Sequence, residues 1–236
     1  MARLPKPASL RDRIVGSAYG AESAVVELFP GEPAFGPWRV EAIRSVLDRV
    51  RSGPGTRAVA VDGRSAGGKT TCATRLAAAV PGAVVVHTDD VAWYESFFDW
   101  AHLLRDGVLE PVGAGRAVAY RPPAWDARGR DGAIEVPAGC PLLVVEGVGV
   151  SRQELSDRFD LRLWVQSDRV EARRRGIEQD GGPAHVAFWD EWEAEELPFL
   201  AADRPWERSA LVVAGVAELP YDPATELVVA DPRMGR

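Results

Sequence analysis

Eight consecutive residues, Gly63-Arg64-Ser65-Ala66-Gly67-Gly68-Lys69-Thr70, carry the most specific chemistry in the chain. They fit G-x-x-x-x-G-K-[ST] at every fixed position, a pattern that a chain of this length matches by chance roughly once in a hundred. Gly63, Gly67 and Gly68 let the backbone turn tightly enough for successive amides, with those of Ser65, Ala66, Thr70 and Thr71, to converge on one phosphate. A helix beginning at Lys69 adds a favourable field for an anion. Lys69 has the reach for the β- and γ-phosphates, and the Thr70 hydroxyl is a magnesium ligand by type. The spacing predicts a nucleoside triphosphate site with Mg²⁺.

Four further groups bear on what receives the phosphate. His87-Thr88-Asp89-Asp90 follows an apolar run, and carboxylates beyond the end of a parallel strand face the ligand crevice. Asp89 there either deprotonates an incoming hydroxyl, with a share in holding metal, or caps the next helix. Glu146 ends Leu142-Leu143-Val144-Val145, placing a carboxylate where it can hold Mg²⁺ or its waters, or merely end a buried strand. Arg173 and Arg175 belong to an arginine-rich helical stretch, 168–180. It either closes over the phosphates or pairs with the acidic run at 190–196. Asp90, Tyr94, Tyr120, Arg121 and Trp125, with Asp126 and Arg128 nearby, have the character of a polar acceptor site or of an ordinary polar loop. His87 reads as a structural strand-end histidine, and Trp189 and Trp192 as core anchors.

These residues need a scaffold, and the hydrophobic pattern supplies one. Strands are predicted at 57–62, 83–87, 141–147, 159–166 and 210–215, alternating with helices at 69–80, 95–107, 168–180 and 185–200, with a further edge strand at 226–230. Such alternation predicts an α/β P-loop NTPase fold: a parallel sheet of about five strands between helical layers, three layers in all. Residues 1–55 read as an N-terminal extension with an irregular lead-in and one helix over 38–52, stopped by Gly53-Pro54-Gly55. Residues 56–236 form the nucleotide domain. An insertion at 107–139 lies on the acceptor side, and 168–205 supplies a lid and the helix after it.

Composition narrows the partners. A net charge of −7 argues against a nucleic acid or an anionic membrane as the main partner. No apolar run approaches the length of a membrane span. Nothing resembles a signal peptide, so a cytoplasmic setting is expected, with Cys72 and Cys140 as free thiols. The expected partner is a small molecule bearing a hydroxyl.

The ordered set Val61-Asp62-Gly63 through Thr71, His87 to Asp90, Val144 to Val148 and Ala172 to Asp180 resembles the uridine kinase-like group of P-loop small-molecule kinases. That group also includes phosphoribulokinase-like and pantothenate kinase-like members. The resemblance covers about residues 57–216. It implies Asp89 as general base toward an acceptor hydroxyl, Glu146-Gly147 near the metal, and the arginine-rich helix as a lid over ATP. It further implies an ATP-dependent phosphotransferase acting on an alcohol, with a nucleoside as the nearest acceptor. Val91 and Ala92 stand where the group has an aromatic pair, and Gln179-Asp180 where its lid ends in Arg-Asp. An ATP-binding regulatory protein, or a degenerate kinase without small-molecule transfer, is the alternative.

Overall fold

The computed structural model describes residues 26–50 and 55–233. The lead-in up to residue 25 and the breaker residues Gly53 and Pro54 lie outside the described residues.

The first element is a strand, β1 (Arg39–Ala42), running directly into helix α1 (Ile43–Leu47). Helical spacing predicts one helix over this whole stretch, but β1 pairs antiparallel with the last strand, Arg39 opposite Val229 and Ala42 opposite Glu226. Only the later part of the periodic face reaches the core: Ile43, Val46, Leu47 and Val50 are buried while Val40 is exposed. Sheet pairing has overridden a weak local preference.

Strand β2 (Arg57–Gly63) leads through the glycine loop into α2 (Lys69–Ala78), then β3 (Val84–His87) and the single turn α3 (Thr88–Val91). The helix expected over 95–107 starts later and runs further. Helix α4 (Ala101–Leu104) continues through a π-helical turn (Arg105–Leu109) into α5 (Glu110–Gly113). Aromatic anchoring fixes residues 97–100 in an irregular path: Phe98 stacks on Phe199 with ring centroids 4.1 Å apart, and Trp100 Nε1 donates to the Phe97 carbonyl at 2.9 Å. Gly107 does not stop the helix. It lets Tyr120 pack against the π turn, since a Cβ there would lie 2.5 Å from the tyrosine ring.

In the insertion, β4 (Val118–Tyr120) and β5 (Ile134–Val136) form a separate antiparallel pair around α6 (Pro123–Ala127). Then come β6 (Leu142–Glu146), β7 (Leu161–Gln166), α7 (Arg169–Gln179), α8 (Val186–Asp203), β8 (Leu211–Ala214) and β9 (Glu226–Ala230).

The main sheet has the order β1-β9-β8-β7-β2-β6-β3. Strands β3, β6, β2, β7 and β8 are parallel, which is the predicted five-stranded core. Strands β9 and β1 extend it antiparallel to seven, so β9 is internal and β1 forms the edge. Alternate residues of β2 face opposite layers: Ala58 and Ala60 join the cluster with α4 and α5, Val59 and Val61 the cluster with α1 and α2. Both faces are therefore covered, as a parallel sheet requires. Cys72 and Cys140 are buried free thiols, and burial pushes Cys72 up to about 12. No helix among the described residues is long and apolar enough to cross a membrane.

Candidate functional site

The glycine loop joins the C-terminal end of β2 to the first turn of α2, between the central strands. Gly63 has φ 146°, and a Cβ on it would lie 2.5 Å from the Val165 carbonyl oxygen, so only glycine lets β2 run this close to β7 at the turn. Ala66 at φ 54° and Gly68 at φ 106° curl the loop. The Gly67 amide donates to the Arg64 carbonyl at 3.1 Å, and Lys69 Nζ donates to the same oxygen at 2.9 Å. The lysine is thus folded back along the cradle that its ammonium would share with a phosphate.

Beneath the loop sits a residue that the motif reading passed over. Asp62 is fully buried and accepts four hydrogen bonds, from the amides of Gly63, Gly149 and Ser151 and from the Ser151 hydroxyl, at 2.6–2.9 Å. Burial pushes its pKa up and the four donors pull it back. It fastens the glycine loop to the loop after β6.

Glu146 stands at the end of β6, directly beside β2 and β3. Its Oε1 accepts from the Thr70 hydroxyl at 3.0 Å and meets His87 Nδ1 at 2.6 Å. Burial alone would raise the Glu146 pKa, but the hydrogen bond from His87 and the nearby Lys69 charge hold it below its ordinary value. Conversely the Glu146 hydrogen bond raises His87. Gly147 closes this corner at φ 155°: a Cβ would collide with the Thr88 side chain, so the end of β6 and the start of α3 touch only through a glycine. Thr70, Glu146 and His87 are thereby brought together, and Asp89 is exposed two residues past His87 in α3.

The insertion docks on the next residue. Trp125 Nε1 donates to the Asp90 carbonyl at 2.8 Å, and Arg130 donates to Asp90 Oδ1 at 2.5 Å. Tyr94 is exposed, with a left-handed backbone at φ 60°. Arg121, another expected acceptor residue, makes its contacts within the insertion. Trp125 is buried, and Arg121 binds Asp126 at 2.7 Å, the Arg130 carbonyl at 2.8 Å and the Gly132 carbonyl. Tyr120 lines a separate cavity of about 420 Å³ with His102, Asp106 and Arg116, none of them in the glycine loop.

Helix α7 packs on α8 through Gly176, where a Cβ would lie 2.0 Å from the Trp189 ring. Trp189 is buried and Trp192 stacks edge-on against Phe97 at 5.2 Å, so both tryptophans are packing residues. The two expected lid arginines differ. Arg173 donates to Glu193 at 2.9 Å and to Asp190 at 2.6 Å, so it is tied to the acidic helix. Arg175 has buried Nε and Nη2 atoms without hydrogen-bond partners among the described residues. It lines a recess of about 120 Å³ with Gly68, Thr71, Arg75, Gly215 and Tyr221, at the start of α2.

Helix α8 also reaches the glycine loop, which motif spacing did not reveal. Buried Glu196 accepts from the Ser65 amide at 2.9 Å, and Arg64, 1% exposed, lies 3.2 Å from Glu193 and 3.5 Å from Glu196. Burial raises the Glu196 pKa against the pull of Arg64. Burial likewise lowers Arg64 against the pull of both glutamates. Glu193 and Glu196 lie three apart on one helical face, the one sequence signal for this pairing.

The residues fit ATP and magnesium. Arg175, beside the curled loop, has buried N–H groups without hydrogen-bond partners among the described residues that suit an anion, its Nε lying 3.9 Å from Glu171, and the oxygen pair Thr70–Glu146 suits a hard cation. No three His, Cys, Asp or Glu side chains cluster as a metal site among the described residues, so phosphate oxygens and water would complete the shell.

A mostly parallel sheet with a lysine-bearing glycine loop at its switch point and a carboxylate on the adjacent strand defines a P-loop α/β nucleotide fold. More narrowly, the fold resembles that of a solved protein described as a kinase. The chain matches a protein described as a candidate fructose transport system kinase from Silicibacter sp. TM1040, with TM-score 0.50 and 21% identity over 71% of this chain and 92% of that one. It is also similar to a protein described as a possible uridine kinase from Bacillus stearothermophilus, with TM-score 0.49 and 17% identity over 72% of this chain and 94% of that one. No protein-family model and no curated protein sequence matches the chain.

Proposed function

We propose that the chain is an ATP- and Mg²⁺-dependent kinase that transfers the γ-phosphoryl group to a hydroxyl of a small polar molecule, a nucleoside or a metabolite of similar size. The observation that carries this reading is the Thr70–Glu146 contact at 3.0 Å beside the Lys69 loop, with Asp89 just past the neighbouring strand. Loop amides and Lys69 would hold the phosphates. Thr70 and Glu146, with Asp89 at the edge, would hold the metal, which supplies neutralising charge when bound. The Asp89 carboxylate takes the acceptor's hydroxyl proton as the new O–P bond forms and the β–γ bridging bond breaks, releasing ADP. The Arg175 Nε and Nη2 atoms, without hydrogen-bond partners among the described residues, support a role in stabilising phosphate charge, with Glu171 3.9 Å from Nε, whereas Arg173 would first have to leave Asp190 and Glu193.

ADP release with and without a panel of hydroxyl acceptors tests the proposal. Asp89→Asn should lower acceptor-dependent release at least ~100-fold, the scale of general-base catalysis, while nucleotide affinity changes less than about threefold. Wild-type transfer by that variant sinks the base assignment. The alternative, an ATP-binding regulatory protein, draws on α8 already holding the Ser65 amide and Arg173. Nucleotide binding with no acceptor-dependent turnover would favour it.

A further inference from the structure

We propose that the acceptor carries an anionic group, a carboxylate or a phosphate, read by Arg128 and Arg130 on an aromatic shelf beside Asp89. This rests on the kinase reading for the hydroxyl but on separate residues for the anion.

The insertion brings both arginines to the acceptor end. Trp125 and Arg130 are each hydrogen-bonded to Asp90, the residue after the proposed base. The Arg130 guanidinium carbon lies 3.7 Å from the Trp125 ring centroid and 5.1 Å from that of Trp93. That of Arg128 lies 3.7 Å from the centroid of the Tyr94 ring. A guanidinium resting on a ring face keeps its in-plane N–H fork available, and it is held in place by cation–π attraction. Such a fork matches a carboxylate or phosphate with two parallel hydrogen bonds.

Arg130 has one carboxylate partner, Asp90, through a single nitrogen. Arg128 has none within ion-pair distance among the described residues, although the chain as a whole is acidic at −7. Tyr94 presents its ring from a left-handed backbone, φ 60°, and is 44% exposed. A bulky residue in that conformation is strained, and strain of this kind persists where surrounding structure or function demands it. The ring faces that these arginines cover are not open to a nucleobase, which disfavours stacking as the mode of recognition.

The test pairs neutral and anionic alcohols of similar size: glycerol with glycerate for the carboxylate arm, ribose with ribose 5-phosphate for the phosphate arm, and uridine as a neutral nucleoside. Each is assayed for acceptor-dependent ADP release and, by calorimetry in the presence of a non-hydrolysable ATP analogue, for binding. The expected result is that an anionic member is bound and phosphorylated with at least tenfold higher kcat/KM than its neutral twin. Arg128→Gln should raise the KM for that anion at least tenfold with kcat within about threefold. Arg128→Lys, which keeps charge and loses the fork, should fall between. Thermal melts of both variants check folding. Turnover of uridine or of the neutral twins equal to or better than the anions overturns the proposal, as does an unchanged KM in Arg128→Gln. Anion binding that is lost in Arg128→Gln, without turnover of any acceptor, supports the anion site and overturns the kinase reading instead. No binding of either anion overturns the anion site alone if uridine is phosphorylated.

Discussion

Replacing Arg64 by methionine tests the charge arrangement under the glycine loop. Arg64 is an unconstrained position of the loop motif, yet its side chain is 2% exposed and faces Glu193 at 3.2 Å and Glu196 at 3.5 Å. At an effective dielectric of about 20, a pair at the longer distance interacts with about 4–5 kcal/mol, most of which offsets the desolvation of both ions. Methionine fills much of the volume, so cavity formation is minor. What remains is Glu196, fully buried, keeping the Ser65 amide and losing its cation. Removing one partner of a buried pair costs about 3–5 kcal/mol, and a chain of this size loses about 2–4 °C per kcal/mol. Arg64→Met should therefore melt about 10 °C lower at pH 7. Burial raises the Glu196 pKa above its ordinary value of 4.5. The sign follows: the folded state binds the proton more tightly, so this group's contribution is complete below about 4.5 and is lost as pH rises through the raised folded value. The deficit of Arg64→Met should accordingly shrink as pH is lowered from 8 toward 5. Adding Glu196→Gln should recover at least ~1 kcal/mol, a coupling typical of neighbours. Thermal melts and urea titrations of the four species measure the cycle. A loss under ~1 kcal/mol in Arg64→Met, or strict additivity in the double variant, would refute the reasoning.

Two further substitutions probe other parts of the scaffold. Asp62→Ala strands three amides and a hydroxyl in a dry interior and should destabilise by about 3–5 kcal/mol, read as the urea midpoint. Because Asp62 also fixes the loop behind Glu146, nucleotide affinity should fall with it. Gly176→Ala forces a methyl group to within 2.0 Å of the Trp189 ring and should cost about 1–3 kcal/mol while opening α7 from α8, visible as a red shift in tryptophan emission. An unchanged melt there would mean that the two helices are not packed through this glycine.

How much of this was legible depended on whether the determinant was local. The glycine loop is defined by residues adjacent in sequence, and the β2–loop–α2 unit was readable from its spacing and its flanking apolar runs. The five parallel strands were readable from their apolar runs, most clearly β6, which is buried along its whole length. Residues 39–42 were not, because Val40, Ile43, Val46, Leu47 and Val50 also satisfy helical spacing. The choice is made by hydrogen bonds to β9, nearly the whole chain away. Gly107 reads as a helix stop, and its use as a contact for Tyr120 depends on a fold of the insertion that no local pattern encodes. In the site, Thr70 and Glu146 were paired from strand logic alone. Asp62, Arg64, Glu193 and Glu196 were missed because a buried charge announces itself only through partners that are distant in sequence.

Those distant partners bear on how the cradle comes into being. The bonds that shape it join residues 76, 87 and 131 positions apart: Thr70 to Glu146, Asp62 to Gly149 and Ser65 to Glu196. Closure over such spans is slow and comes late in folding, since chain entropy is lost before the contacts compensate. A partly assembled sheet carries the complete glycine motif and still lacks its phosphate-binding shape. On the proposed function, nucleotide would therefore be a ligand of the finished topology alone, and at a hundredfold excess over its Kd it would add about 2.7 kcal/mol to the stability of the entire chain rather than of one loop.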